Sequence, residues 1–161
     1  MTRERHTGWL LRPGRAGDLS ALTALENSAF TSDRISRRSF RNFFASPHAA
    51  LIVAEIDCRV AGYALVLSRP RSRVARLYSI AVAREFAVRG VGRSLLAAAE
   101  AIALARQSWL MRLEVDERNR RAATLYRRTG YRAFGRRPAY YEDGGAALRF
   151  EKVLAFPQTE S

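Results

Sequence analysis

Apolar residues recur along the chain with two different spacings, and these spacings predict its helices and strands. Apolar positions three and four residues apart predict a helix, most clearly at Gly90–Ala105, whose apolar stripe runs from Val91 to Ala103. Shorter apolar runs with alternating or β-branched residues predict strands. The predicted helices are Leu19–Phe30, Ser36–Ala45, Gly90–Ala105 and Asn119–Thr129, and the predicted strands are Gly8–Arg12, Ala50–Ala54, Val60–Leu67, Val74–Val82, Trp109–Val115, Tyr131–Phe134 and Ala147–Val153.

The element order β-α-α-β-β-β-α-β-α-β-β predicts an α/β fold of the mixed α+β kind. We expect one mixed sheet of about seven strands, flanked by about four helices. The 161 residues contain no linker, repeat or low-complexity tract, so a single domain over residues 1–161 is expected, with a short flexible tail at about 155–161. Asp18 directly precedes the first helix, where an aspartate predicts an N-cap.

The composition excludes several classes of protein. With 48% apolar and 27% charged residues, the chain is expected to fold around a core. It has no apolar run of the ~20 residues needed to span a membrane, and no secretory leader, so a cytoplasmic location is expected. Cys58 is the single cysteine and there are two histidines, which exclude an internal disulfide and a cysteine- or histidine-rich metal site.

The charge is strongly positive, with 28 Lys and Arg against 15 Asp and Glu, a net charge of +13. Such a balance attracts polyanions, among them nucleic acids, phosphorylated cofactors and anionic membranes. All the cationic side chains except Lys152 are arginines, which a GC-rich coding bias explains equally well. The charge therefore leaves contact with nucleic acid open and does not require it.

A glycine loop at residues 87–93 joins the predicted strand Val74–Val82 to the clearest helix. The first N–H groups of a helix have no internal partner, and Gly90 and Gly92 let an anion approach the backbone closely. The loop is not a Walker motif, because no Gly-Lys-Ser/Thr follows, and it lacks the third glycine of the dinucleotide fingerprint. By itself the loop fits an ordinary strand-to-helix turn equally well.

Several segments that surround the glycine loop in the sequence together resemble a known family. The segments Leu77-Tyr78-Ser79-Ile80-Ala81-Val82, Arg89-Gly90-Val91-Gly92-Arg93-Ser94-Leu95-Leu96, Leu113-Glu114-Val115, Asn119 and 122–131 resemble the GCN5-related N-acetyltransferase (GNAT) superfamily. Within it the chain is most similar to the bacterial ribosomal-protein-alanine N-acetyltransferases, which the tail at 140–144 and 147–152 also resembles. The likeness is close over residues 74–153. One departure is Ala87, where the family usually has Gln or Arg.

The resemblance implies an acetyl-CoA-dependent transferase whose sheet is splayed between Val74–Val82 and Trp109–Val115. It places the cofactor pyrophosphate over the glycine loop and the pantetheine along the backbone of the preceding strand. Asn119 is either the N-cap of its helix alone or a cofactor contact as well, and the two roles are compatible. No metal is implied. The cofactor-binding residues so implied are Ile80, Ala81, Val82, Val88, Arg89, Gly90, Val91, Gly92, Arg93 and Asn119.

Two residues are candidates for proton transfer. A carboxylate in an apolar strand is costly unless it is paired or functional, so Glu114 is either an ion-pair partner of Arg112 or Arg76 or a base. The resemblance implies a base that acts through water. Tyr126 lies on the apolar stripe of its helix and is either a core tyrosine or, as the resemblance implies, the acid that protonates the leaving thiolate.

The acceptor is expected to be an amine that receives the acetyl group directly, because no Ser–His–acid order stands out. Phe30, Tyr140 and Tyr141 are candidate acceptor-groove residues, and two adjacent tyrosines in an extended segment should point to opposite faces. A single base suits an α-amino group, whose pKa is ~8, better than a lysine amine at ~10.4. The segment 139–144 also resembles the acceptor-side loop of N-terminal acetyltransferases, so the expected acceptor is a protein or peptide N-terminus, a ribosomal protein being one candidate.

Two alternatives stay open. The first is an acetyltransferase for lysine side chains, polyamines or other small amines. The second is a basic RNA- or ribosome-binding module without catalysis, for which the arginine clusters are the sequence support.

Overall fold

The computed structural model describes residues 4–6, 8–87 and 89–155, whose strands form one mixed sheet in the order β1-β2-β3-β4-β5-β6-β8-β7. The predicted α/β fold is confirmed. The sheet has eight strands among the described residues rather than about seven, because a short β1 pairs with β2. The strands are β1 Glu4–His6, β2 Trp9–Pro13, β3 Ala49–Ile56, β4 Arg59–Ser68, β5 Val74–Val82, β6 Leu110–Asp116, β7 Arg132–Arg137 and β8 Ala147–Val153, and the helices are α1 Leu19–Ala29, α2 Arg37–Ala45, α3 Val91–Ala105 and α4 Arg120–Arg128.

Helices cover the sheet on both faces and divide the core into two clusters. On one face α3 buries Leu95, Leu96 and Ala99 against the strands, because its apolar residues fall on one stripe. On the other face α1 and α2 bury Leu22 and Phe40 against alternate residues of β3 and β4 and against Ala81 of β5. The central strands are therefore covered by helices on both faces.

The sheet opens between β5 and β6. These parallel strands pair only through Val74–Leu110, Ala75–Met111 and Arg76–Arg112, and beyond this point β5 has no pairing with β6. On its other side β5 stays paired with β4 up to Val82. The splay that the resemblance implied is present, and it leaves one edge of β5 open from residue 77 onward.

Asp18 stands at the N-cap position of α1, as predicted, but its side chain makes no capping hydrogen bond to the helix. Its backbone is already helical, and the carboxylate accepts two hydrogen bonds from the Arg12 guanidinium at 2.8 and 2.7 Å. It also accepts the Arg15 N–H at 2.9 Å. The buried arginine on β2 takes the carboxylate that would otherwise bond the first turn of the helix.

Strand β7 forms one edge of the sheet, and all of its residues are exposed. It pairs with β8 through Arg137 and so extends past the predicted end at Phe134. Three of its residues are arginines, at positions 132, 136 and 137.

None of the helices described is both long and apolar enough to cross a membrane.

Candidate active site

Two grooves meet at the opening of the sheet. The glycine-loop groove, of about 700 Å³, lies between the end of β5, the loop before α3, and α4. The tyrosine groove, of about 750 Å³, lies between the end of α1, β5, β6 and the loop around Tyr140 and Tyr141. The residues that line both grooves are Ala29, Phe30, Ile80, Asn119, Ala122 and Tyr126. A molecule in one groove can therefore touch a molecule in the other at this junction.

The open edge of β5 supplies backbone groups to the glycine-loop groove. The Ala83 N–H donates to Ala61 O of the neighbouring strand at 2.8 Å. Because backbone groups alternate along a strand, Ala81 also bonds toward β4, while the N–H and C=O of Ile80 and Val82 point to the open edge. These groups can pair with an extended amide-containing ligand as an added strand would.

Within the glycine loop, Gly90 is the N-cap of α3 and has a left-handed backbone with φ of +86°. A residue with a Cβ atom adopts this conformation only at a cost of roughly 1–2 kcal/mol. Gly92 lies in the first helical turn and lines the groove beside Val82 and Leu125. The unpaired N–H groups of α3 thus open toward the groove without an intervening side chain.

The other predicted loop residues are placed differently. Arg93 lines the groove, whereas Arg89 extends over the Phe86 ring at 5.5 Å and Val91 is buried in the core. Val88 lies outside the described residues. Four further arginines of the groove were missed, although the arginine-rich sequence of α4 was a signal for three of them. The missed arginines are Arg84, Arg120, Arg121 and Arg128.

Tyr126 stands on α4 at the junction of the grooves. Its ring is buried against Tyr131 and Phe150, with ring centroids 5.7 and 6.0 Å away. Burial, and then the nearby Tyr141, raise the pKa of Tyr126. The hydroxyl is therefore protonated at neutral pH and able to donate a proton. Asn119 caps the same helix, since its side chain accepts the Ala122 N–H at 3.1 Å.

Glu114 lies on β6 in the wall of the tyrosine groove with 12% of its side chain exposed. Its Oε2 is 3.0 Å from the Arg76 guanidinium and its Oε1 is 3.8 Å from Arg149 Nε. Of the two ion pairs predicted as alternatives, the one with Arg76 forms. Arg112 instead pairs with Glu151 at 3.1 Å.

Tyr140 and Tyr141 both line the tyrosine groove, so the prediction that they point to opposite faces is wrong. Their rings lie perpendicular with centroids 4.9 Å apart. The segment is a tight loop rather than an extended strand, because Ala139 has a φ of +51° and both tyrosine N–H groups donate to Gly145 O. Arg76 donates to Tyr140 Oη at 2.9 Å.

The charges of the two grooves are opposite. Five arginines and no acidic residue line the glycine-loop groove. The tyrosine groove has two arginines, Arg76 and Arg118, against five carboxylates from Glu26, Asp33, Glu114, Asp116 and Asp143. In a chain with a net charge of +13, this local negative charge favours a cationic ligand.

Comparison with known proteins gives the family. Residues 19–131 match the Acetyltransferase (GNAT) family. The chain belongs to this family. It is 32% identical over 141 residues, 86% of this chain and 88% of the relative, to an uncharacterised N-acetyltransferase of Methanocaldococcus jannaschii.

One further relative and one solved structure of the same fold are named for the same activity. The chain is 28% identical over 138 residues, 84% of its length and 88% of the relative, to a Bacillus subtilis protein provisionally named ribosomal protein bS18-alanine N-acetyltransferase. The crystal structure of the Escherichia coli ribosomal-protein-S18-alanine N-acetyltransferase has the same fold, with a TM-score of 0.84 at 22% identity. This superposition covers 95% of this chain and 98% of that one. Membership in the GNAT family confirms the predicted acetyltransferase and disfavours a module without catalysis.

One part of this acetyltransferase was missed by sequence reasoning. Glu26 of α1 is 1% exposed and accepts hydrogen bonds from Tyr63 Oη and, at 3.0 Å, from the Ile35 N–H. Tyr63 Oη lies 2.7 Å from Ser79 Oγ. The sequence feature that could have revealed this group was a glutamate on the apolar face of a helix, beside Leu22 and Leu25.

Within the described residues no group of three or more His, Cys, Asp or Glu side chains is arranged to hold a metal ion.

Proposed function

We propose that the protein transfers the acetyl group of acetyl-CoA directly to the N-terminal α-amino group of a protein or peptide. The observation that carries this proposal is the pair of oppositely charged grooves that meet at Tyr126. The basic groove suits a phosphorylated cofactor and the acidic groove suits an ammonium group. The relatives named for ribosomal-protein alanine support a ribosomal protein as the acceptor.

The glycine-loop groove fits acetyl-CoA, which supplies the acetyl thioester. The N–H groups at the start of α3 and the arginines around them suit its phosphates. The open-edge N–H and C=O groups of Ile80 and Val82 suit the amides of its pantetheine arm. Asn119 and Tyr126 lie where this groove meets the acceptor groove.

A substitution at Gly90 tests this cofactor site. Gly90→Val should raise the Kd for acetyl-CoA at least tenfold, equivalent to ~1.4 kcal/mol, because a β-branched residue strains the left-handed backbone that opens α3 to the phosphates. Isothermal titration calorimetry measures the Kd. Gly8→Val is the matched control, since Gly8 also has a positive φ, of +98°, but lines neither groove. An unchanged Kd in Gly90→Val would rule out the site.

Two side chains handle the protons of the transfer. Glu114 accepts a proton from the acceptor nitrogen through a water molecule, while its pairing with Arg76 fixes the carboxylate in the groove wall. Tyr126 donates its hydroxyl proton to the leaving thiolate, a role that its protonated state at neutral pH permits. Phe30, Tyr140 and Tyr141 wall the space in which the acceptor lies.

An α-amino group is favoured over a lysine side chain by its lower pKa. Neutralising an amine with a pKa of ~10.4 rather than ~8 costs roughly 3 kcal/mol more at the same pH. The acidic side chains of the tyrosine groove stabilise the ammonium form of either amine, so they do not remove this difference. The acceptor that needs less help from a base is the α-amine.

A matched pair of peptides tests the acceptor class. One peptide has a free N-terminus and no lysine, and the other has a blocked N-terminus and one lysine. We expect the first to be acetylated faster, as measured by mass spectrometry with acetyl-CoA. Faster acetylation of the blocked peptide would make the protein a lysine acetyltransferase. Acetylation of neither peptide, together with acetylation of a small diamine, would identify a small-amine acetyltransferase.

A further inference from the structure

A chain of hydrogen bonds leads from the acceptor groove into the protein interior. It begins at the half-buried Ser79 on β5, passes through the fully buried Tyr63 on β4, and ends at the carboxyl group of Glu26 on α1. Residues at both ends line the tyrosine groove wall, but the Glu26 side chain is almost completely excluded from water. The chain is separate from Glu114, which stands on β6.

The direction of the hydrogen bonds follows from the number of protons available. Tyr63 has one hydroxyl proton and donates it to Glu26 Oε2. The bond between Tyr63 and Ser79, at 2.7 Å, must then be donated by the Ser79 hydroxyl. With its own proton directed inward, Ser79 Oγ has lone pairs free for a donor in the groove. While Glu26 is ionised, Ser79 is therefore an acceptor for an ammonium N–H.

We propose that Ser79, Tyr63 and Glu26 form a relay that takes the proton of the acceptor ammonium group. This inference rests on the proposed function, in which Glu114 takes the further proton that the nitrogen loses when the amide forms. One proton passes from the ammonium nitrogen to Ser79 Oγ, the Ser79 proton passes to Tyr63 Oη, and the Tyr63 proton passes to Glu26 Oε2. The amine and Glu26 both become neutral and all three hydrogen bonds reverse direction. The proton returns to solvent by the same route once the product has left.

The surroundings of Glu26 suit a terminal proton acceptor. Burial raises the pKa of Glu26. The hydrogen bonds from Tyr63 and Ile35 and the nearby Arg34 lower it, but burial has the larger effect. Burial chiefly raises the pKa of Tyr63, and Glu26 and then Tyr78 of β5 add to the rise, while the hydrogen bond with Ser79 opposes it. Helix α2 contributes the apolar Phe40 ring, 5.6 Å from the Tyr63 ring. A carboxylate in this setting takes a proton more readily than one on the surface.

The relay predicts a pH-dependent defect. Ser79→Ala, Tyr63→Phe and Glu26→Gln should each lower kcat/KM for an alanine-initiated, lysine-free peptide about tenfold or more near pH 7. The loss should shrink to about twofold near pH 9, because an α-amine with a pKa of ~8 is then already neutral. A purely structural role predicts the same loss at both pH values. Ser79→Ala removes one half-buried hydroxyl, so it keeps the test open if the buried variants fold poorly.

A second tyrosine–glutamate pair in the same chain provides matched controls. Tyr131 Oη donates to Glu100 Oε2 at 3.0 Å, and neither residue lines a groove. Tyr131→Phe and Glu100→Gln should leave the pH profile of kcat/KM unchanged. A similar pH-dependent loss in these controls would overturn the relay, because it would show that any lost tyrosine–glutamate bond has this effect.

A measurement without substrate tests the terminal group. In protein labelled with ¹³C at the glutamate carboxyl carbons, one carboxyl should titrate above the ordinary glutamate value of ~4.3 and be missing from the spectrum of Glu26→Gln. Titration of Glu26 at or below the ordinary value would overturn the relay.

The two proposals fail in different ways. If the wild type acetylates no peptide N-terminus, the proposed function is wrong, and the pH series is run with the amine that it does acetylate. If the wild type acetylates the peptide but the three variants lose activity equally near pH 7 and near pH 9, the relay alone is wrong.

Discussion

Replacing Tyr126 by phenylalanine should lower kcat for acetyl transfer by about 10²–10⁴-fold, the usual contribution of a positioned general acid or base. Only the hydroxyl is lost, because the phenyl ring keeps its packing against Tyr131 and Phe150. The Kd for acetyl-CoA should therefore stay close to that of the wild type. Steady-state kinetics with the free N-terminal peptide and calorimetry with acetyl-CoA measure the two quantities.

Tyr131→Phe is the control for this variant as well, since it removes a neighbouring hydroxyl that donates to Glu100 and not into a groove. It should leave kcat near the wild-type value. If kcat of Tyr126→Phe stays within twofold of the wild type, Tyr126 is a packing residue and the thiolate leaves without its help.

Replacing Asp18 by alanine should lower the free energy of unfolding by about 3–5 kcal/mol, because it leaves the Arg12 guanidinium buried without its main partner. The side chains of Arg12 and Asp18 are only 5% and 7% exposed, and two hydrogen bonds join them. Urea unfolding followed by circular dichroism measures the change. Glu85→Ala is the control, since the Arg59–Glu85 pair is 66% and 57% exposed and should contribute no more than ~1 kcal/mol.

The effect of Asp18 should depend on pH. Burial by itself raises the pKa of Asp18, but the hydrogen bonds from Arg12 and the Arg15 N–H outweigh it and hold the pKa below its usual value. The contribution to stability is therefore complete above the unfolded-state pKa of ~3.9 and is lost as the pH falls through the lower folded-state value. The difference between wild type and Asp18→Ala should shrink in that acid range. An equal difference at acid and neutral pH would contradict this account.

Helices and strands whose apolar residues recur at a regular spacing were predictable from the sequence, because that spacing decides which face of the element is buried. Helix α3 begins at Val91, one residue after its predicted start, and β5 has its predicted bounds. Strand β1 was missed, because its three residues form a strand only through pairing with β2. The sequence also predicted the end of β7 too early, because β7 stays paired with β8 through residues in which apolar and polar side chains do not alternate.

The residues of the candidate site likewise fall into those that the sequence could predict and those that it could not. The glycine loop and Tyr126 lie in continuous motifs, so the sequence was enough to select them. Tyr63 is 37 positions from Glu26 and 16 from Ser79, and only the packing of α1 on the sheet brings the three together. The side chains of Tyr140 and Tyr141 point into one groove because the backbone of Ala139 is left-handed. An alanine in the sequence does not predict that conformation, which is typical of glycine.

The arginines of β7 also affect how copies of the protein meet. An exposed edge strand offers unpaired N–H and C=O groups to which the edge of a second molecule can add, which is a common start of aggregation. Arg132 and Arg136 are held at this edge by Glu151 and Glu117, and Arg137 adds a further cation. Two such edges would bring like charges together, so edge-to-edge addition is unfavourable. Part of the high arginine content thereby opposes the addition of a second sheet edge at β7.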